Sequence, residues 1–162
     1  MNPHAKTTVV DALLHRAASC TPEADEALLT LGLLLEHRSA GGDLTALLGP
    51  KLSQVRLTAQ ETDRVVRTLI TLAMTPAPRT GVLWALQKSG DRQALPVFAH
   101  VLKHTLDDPT RQPLAEQALE GLLSFGDMAL PEIRHTAMLG KGTVQAAATD
   151  AVGVIADGPV QR

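Results

Sequence analysis

Trp84-Ala85-Leu86-Gln87-Lys88-Ser89-Gly90-Asp91-Arg92-Gln93-Ala94-Leu95-Pro96 reads as one helix ending, a tight turn, and a second helix beginning. The same phrase returns as Leu119-Glu120-Gly121-Leu122-Leu123-Ser124-Phe125-Gly126-Asp127-Met128-Ala129-Leu130-Pro131. The two Gly-Asp pairs stand 36 residues apart and the two Leu-Pro pairs 35. Glycine stops a helix by entering a left-handed conformation at no steric cost, and aspartate caps the helix that follows. Proline fits the opening turns because the first backbone donors of a helix have no intrahelical acceptor. A looser third copy spans residues 146–155 and closes on Asp157-Gly158-Pro159. Self-similarity at this period is the mark of stacked helical units, none of which can bury its apolar face alone.

Outward from these copies, the other helix ends are punctuated in the same way. Thr21-Pro22-Glu23 offers a cap, a proline at the first helical position and an acid in the first turn. Thr58-Ala59-Gln60-Glu61 matches a capping box, and Asp108-Pro109 repeats the cap-then-proline order. Eight helices are expected, near 5–19, 22–38, 58–74, 78–89, 91–107, 109–125, 127–139 and 142–156. Residues 39–57 form the irregular connection, with Gly41-Gly42, Gly49-Pro50 and a short helix at 44–48.

Composition agrees. Of 162 residues, 26 are Leu and 23 are Ala, whereas Val and Ile together number 15 and Tyr is absent. Leu and Ala favour helices, and sheets draw on the β-branched and aromatic residues this chain lacks, so a β-sandwich, a barrel and a parallel α/β sheet are excluded. The expected fold is all-α: one domain over 1–162 built of helix pairs, the repeats clearest over 78–157. The single cysteine, Cys20, allows no intramolecular disulfide and suits a reducing compartment. The first residues lack a signal-peptide apolar core, and the apolar window 27–35 is too short to span a membrane. A cytoplasmic location is expected.

The helix–Gly-Asp–helix phrase, with Ala-Leu before it and Ala-Leu-Pro after it, resembles the HEAT-like repeat family in its short bacterial form. The period here is slightly below the ~40–47 residues usual for that family. The resemblance covers roughly half the chain, and the helices at 5–19 and 22–38 depart from it. It implies an α-solenoid of stacked antiparallel helix pairs whose second helices line a concave surface, a place that residues 91–107 take.

On that helix the sequence separates two faces. Ala94, Leu95, Val97, Phe98, Val101, Leu102 and Leu106 form an apolar stripe, and Arg92, Gln93, His100, Lys103, His104 and Asp107 lie opposite. The helix at 58–74 divides alike, with Val65, Val66, Leu69, Ile70, Leu72 and Ala73 inward and Arg64, Arg67, Thr68 and Thr71 outward. The candidate binding surface is therefore Arg64, Arg67, Arg92, Gln93, His100, Lys103 and His104.

Charge is uneven along the chain. Residues 1–50 and 112–162 each carry 3 basic and 6 acidic side chains, against 9 and 5 in 51–111. A basic middle attracts a phosphate backbone or an acidic protein segment. Without a dense Lys/Arg cluster, solvated helix faces are the preferred explanation. Some HEAT-like solenoids bind DNA and one branch excises alkylated bases, so the resemblance also raises a lyase or DNA-repair enzyme. Base stacking would need exposed aromatics, and Trp84, Phe98 and Phe125 are placed for core packing.

His100 and His104 stand four apart on one face, a spacing that brings two imidazoles to one metal. They supply half a tetrahedral shell and no His-Glu-x-x-His motif accompanies them, so two solvent-facing histidines and no metal are expected. Cys20 has His15 nearby in sequence but no group to orient it as a nucleophile. No phosphate loop, nucleophile elbow or paired-carboxylate motif occurs. The expectation is a non-catalytic protein-binding or scaffold module, without cofactor, whose partner is a protein, acidic in one version. Nucleic acid backbone binding through the basic middle is the first alternative. Leu29 and Leu33 fall opposite the inward stripe of their helix, which predicts either cover by the 39–57 connection or a homodimer contact.

Overall fold

The computed structural model describes residues 3–41 and 44–157, and among them every regular element is helical. The helices are α1 (Pro3–Ala17), α2 (Glu23–Ala40), α3 (Thr45–Leu52), α4 (Ala59–Ala73), α5 (Thr80–Ser89), α6 (Ala94–Thr105), α7 (Gln112–Leu123), α8 (Leu130–Leu139) and α9 (Gly142–Asp157). Short 3₁₀ turns at Pro109–Arg111 and Gly126–Ala129 lead into α7 and α8. The third sequence copy ends at Gly158 and Pro159, outside the described residues. The chain divides into two compact units, one up to Ser89 and one from Gly90.

In the first unit, α2 is the central element and packs against α1 and α5, while α4 packs against α5 and touches α1. The partners α2 and α5 are separated in sequence by α3 and α4, so this unit is not built from successive pairs alone. Leu28, Leu31, Leu34 and Leu35 of α2 are buried, as are Val65, Val66 and Leu69 of α4 and Leu83 and Leu86 of α5. Gly32 allows the closest approach, since a Cβ there would collide with the Trp84 ring. The connection after α2 is anchored by buried Val55 and Leu57, and Arg38 donates to the Leu57 carbonyl at 2.5 Å. It does not cover Leu29, which is 52% exposed, whereas Leu33 is half-buried. The internal cover expected for Leu29 is therefore absent.

The second unit is built from two tight neighbours in sequence, α6 with α7 and α8 with α9, and α7 makes lighter contacts with α8 and α9. Only Gly140 and Lys141 separate α8 from α9. Phe98, wholly buried, lies against Gly121 of α7 and stands 6.2 Å from the Phe125 ring centroid. Leu122, Ile133 and Ala148 complete this core.

The helix ends follow local chemistry with one correction. Glu61 donates its backbone N–H to the Thr58 hydroxyl at 3.0 Å, and the Thr58 N–H donates to the Glu61 carboxylate at 2.9 Å, completing the capping box. Gly90 and Gly126 take φ of 64° and 57°, the left-handed conformation that halts each helix. Asp91 and Asp108 accept from the backbone N–H two residues on, which draws in a tight turn and delays the helix by about a turn relative to the sequence boundaries. Thr21 does not cap α2. Pro22 already has helical angles, and the Thr21 hydroxyl is engaged by Ser19 at 2.8 Å instead.

Candidate functional site

The seven candidate surface residues divide between the two units: Arg64 and Arg67 on α4, and the remaining five on or just before α6. On α4 the inward stripe is realised, with Val65, Val66, Leu69 and Ala73 buried and Ile70 and Leu72 half-buried. Arg64, Arg67 and Thr71 are exposed, and Thr68 is half-buried. Both arginines are already neutralised. Arg64 forms an ion pair with Asp11 of α1, and Arg67 pairs with Asp63 one turn earlier at 2.5 Å.

The pattern extends across the basic middle. Arg79 bonds to the Asp25 carboxylate and the Thr21 carbonyl, both at 3.1 Å. Lys88 sits 3.5 Å from Glu36 and 5.4 Å from the Trp84 ring centroid, and Arg56 donates to the Ser53 and Val55 carbonyls. Three cations of this segment, Arg64, Arg79 and Lys88, are thus paired with carboxylates from the acidic first 50 residues. Among the described residues, Arg92 and Lys103 form no ion pair.

The α6 face is the part that remains open. Its apolar side is buried at Ala94, Val97, Phe98, Val101 and Leu102 and half-buried at Leu95 and Leu106. Arg92, Gln93, His100, Lys103, His104 and Asp107 are all exposed, as the wheel requires. Gln93 is held by Asp91, through its backbone N–H at 2.9 Å and its side-chain amide at 3.4 Å. The His100 and His104 rings lie against each other in a tilted arrangement, with centroids 4.2 Å apart and planes inclined by 35°. The Nδ1 atom of His104 lies 2.8 Å from the His100 carbonyl oxygen, which can only accept, so that nitrogen carries the proton in this contact. Asp107 faces Lys141 across 3.7 Å. Among the described residues, no group of three or more His, Cys, Asp and Glu side chains is arranged to hold a metal.

A pocket that the sequence did not disclose opens beside this face. It has a volume of about 290 Å³ and is lined on its apolar side by Ala99, Leu102, Leu106 and Leu122. Its rim brings Lys103 of α6 together with Glu132 and His135 of α8. Glu132 and His135 are three apart on one helix, so each face is readable alone, but their meeting with Lys103 depends on tertiary packing. Cys20, exposed, lines a separate pocket of about 440 Å³ in the first unit with Arg79, Thr75 and Leu72.

Among the described residues, two carboxylates, Glu23 and Asp108, are held below their ordinary pKa. Glu23 is lowered first by the Thr21 hydroxyl, then by a backbone hydrogen bond. Asp108 is lowered by hydrogen bonds from the Thr110 hydroxyl at 2.6 Å and the Thr110 N–H at 3.0 Å. Both stabilise turns and lie apart from the pocket rim. Among the described residues, no helix is long and apolar enough to cross a membrane. No protein-family model matches this chain, and no curated protein or solved structure matches it either.

Proposed function

We propose that this chain is a cytoplasmic, non-catalytic protein-binding or scaffold module of the HEAT-like helical-repeat kind. Its contact surface is the polar face of α6 and the turn before it, formed by Arg92, Gln93, His100, Lys103 and His104; Arg64 and Arg67 of α4 are a separate candidate patch on the first unit. The partner is a protein segment carrying acidic or polar side chains. One observation carries the reading: the α6 face stays exposed and, among the described residues, Arg92 and Lys103 form no ion pair, whereas Arg64, Arg67, Arg79 and Lys88 do. The two sequence-adjacent helix pairs of the second unit support the repeat architecture.

The test is affinity purification with wild-type chain and with an Arg92→Glu/Lys103→Glu variant, each with and without nuclease. The expected result is partner capture that survives nuclease and is lost in the variant. Unchanged capture by the variant would show the surface to be misassigned. Capture abolished by nuclease transfers the reading to nucleic acid backbone binding, whose affinity falls steeply with salt.

The pocket at Lys103, Glu132 and His135 favours a second reading, a HEAT-like lyase or DNA-repair enzyme, because it gathers an acid and a base beside an apolar lining. That reading requires turnover to collapse in Glu132→Gln while the helical content is kept.

A further inference from the structure

We propose that His100 and His104 together chelate one borderline divalent transition-metal cation of the zinc, nickel or copper type, with water completing the coordination shell. The proposal concerns the isolated chain and holds whether or not α6 binds a protein partner.

Residues four apart on a helix lie above one another on the same face, so both imidazoles leave α6 in the same direction. Spacing alone leaves the rings free to splay, and here they do not: the centroids are 4.2 Å apart with planes 35° from parallel. Two nitrogen ligands at the usual zinc bond length in a tetrahedral shell stand about 3.3 Å apart, and with His104 held in place only the His100 ring, its centroid 4.2 Å away, has to turn about χ2 to share an ion with it.

The tautomer is also settled at one ligand. His104 Nδ1 donates to the His100 carbonyl oxygen at 2.8 Å, which in the neutral ring leaves the lone pair on Nε2 of this exposed side chain. An imidazole N–H held by a backbone carbonyl is the outer support that metal-binding histidines ordinarily have, since it fixes both tautomer and ring orientation. The support comes from α6 itself, so the ligand is oriented before any metal arrives. The nearby Asp107 carboxylate is turned to Lys141, 3.7 Å away, and among the described residues no third side chain joins the pair. A two-nitrogen site of this kind selects by ligand chemistry: imidazole suits zinc, nickel and copper, whereas magnesium and calcium demand oxygen.

The experiment is calorimetric titration of the untagged full chain with zinc chloride, repeated with nickel and magnesium. One zinc per chain is expected, nickel competing for it and magnesium failing to compete. His100→Gln and His104→Gln should each weaken zinc binding by at least tenfold, because loss of a ligand costs more than loss of its outer support, itself worth about 10–100-fold. The His15→Gln variant should bind as wild type does, and circular dichroism should show unchanged helix in all three. In imidazole ¹⁵N spectra, zinc should shift His104 Nε2 and leave Nδ1 protonated. Absence of zinc binding, wild-type affinity in His100→Gln or His104→Gln, or magnesium competing as well as nickel would each overturn the proposal.

Discussion

Two glycines in helices of the second unit give a controlled comparison. A Cβ at Gly121 of α7 would stand 2.6 Å from Cδ2 and Cε2 and 2.7 Å from Cδ1 of Phe98, whereas a Cβ at Gly153 of α9 would meet nothing within 4 Å. Both positions gain helix propensity when alanine replaces glycine, worth up to about 1 kcal/mol. At Gly153 that gain stands alone, so Gly153→Ala should stabilise by about 0.5–1 kcal/mol. At Gly121 it is opposed by overpacking against a ring that is wholly buried and also faces Phe125, a cost of about 1–3 kcal/mol. Because the propensity gain is common to both, the two variants should differ by about 1–3 kcal/mol, with Gly121→Ala the less stable. Urea unfolding followed by circular dichroism reads this difference as a shift in midpoint at constant slope. Phe98→Leu, which removes the ring, should recover part of the Gly121→Ala loss in the double variant, a coupling that distant sites do not show. If Gly121→Ala proves as stabilising as Gly153→Ala, Phe98 is not seated on that glycine and the α6–α7 packing described above is wrong.

Three further outcomes follow from the termini and the ion pairs. Thr58→Ala removes one half of the capping box and should cost about 1 kcal/mol in urea unfolding; a change within about 0.2 kcal/mol would mean the box contributes nothing in this fold. Asp108 is depressed in the folded chain, so its contribution to stability is present above the unfolded carboxylate pKa of about 3.9 and disappears as pH falls through the lower folded value. Thr110→Val should raise the Asp108 titration midpoint in carboxyl ¹³C spectra, only partly because the Thr110 N–H still donates; an unmoved midpoint would remove the hydroxyl as the main cause. The Arg64–Asp11 pair is half-exposed at both ends (47% and 49%), so an Arg64→Ala/Asp11→Ala cycle should give a coupling below about 1 kcal/mol that shrinks in high salt. A coupling near 3 kcal/mol would mark it instead as a buried, structure-specifying pair.

What the sequence made legible is what local chemistry controls. The Thr58–Glu61 box needs only two residues three apart, and the α6 face needs only helical geometry, so both are readable before any tertiary contact exists. Even locally the competition has limits. At Thr21 a good cap residue lost its place because Pro22 takes helical angles while the hydroxyl finds Ser19. Long-range pairing is another matter. The packing of α2 on α5, and the seating of Trp84 on Gly32, join segments whose separate patterns are ordinary amphipathic helices. Nothing in either segment names its partner, because a leucine stripe fits many others of similar width.

The same distinction governs charge and reshapes the candidate surface. Counted along the chain, residues 51–111 are basic and 1–50 acidic, which suggests a cationic band. Folding places Asp11 on Arg64 across 53 residues and Asp25 on Arg79 across 54, so much of that band is cancelled by the segment that balances it. A charge that already has a carboxylate must give it up to bind a ligand, and a surface exchange of this sort gains little. On the proposed surface, recognition energy therefore concentrates where cations lack such partners, at Arg92 just before α6 and Lys103 on it, and where Lys103 borders an apolar pocket that can desolvate the contact. On that argument Arg92→Glu and Lys103→Glu should weaken capture of an acidic segment more than Arg64→Glu and Arg67→Glu do. The reverse order in a quantitative pull-down would return the binding surface to α4.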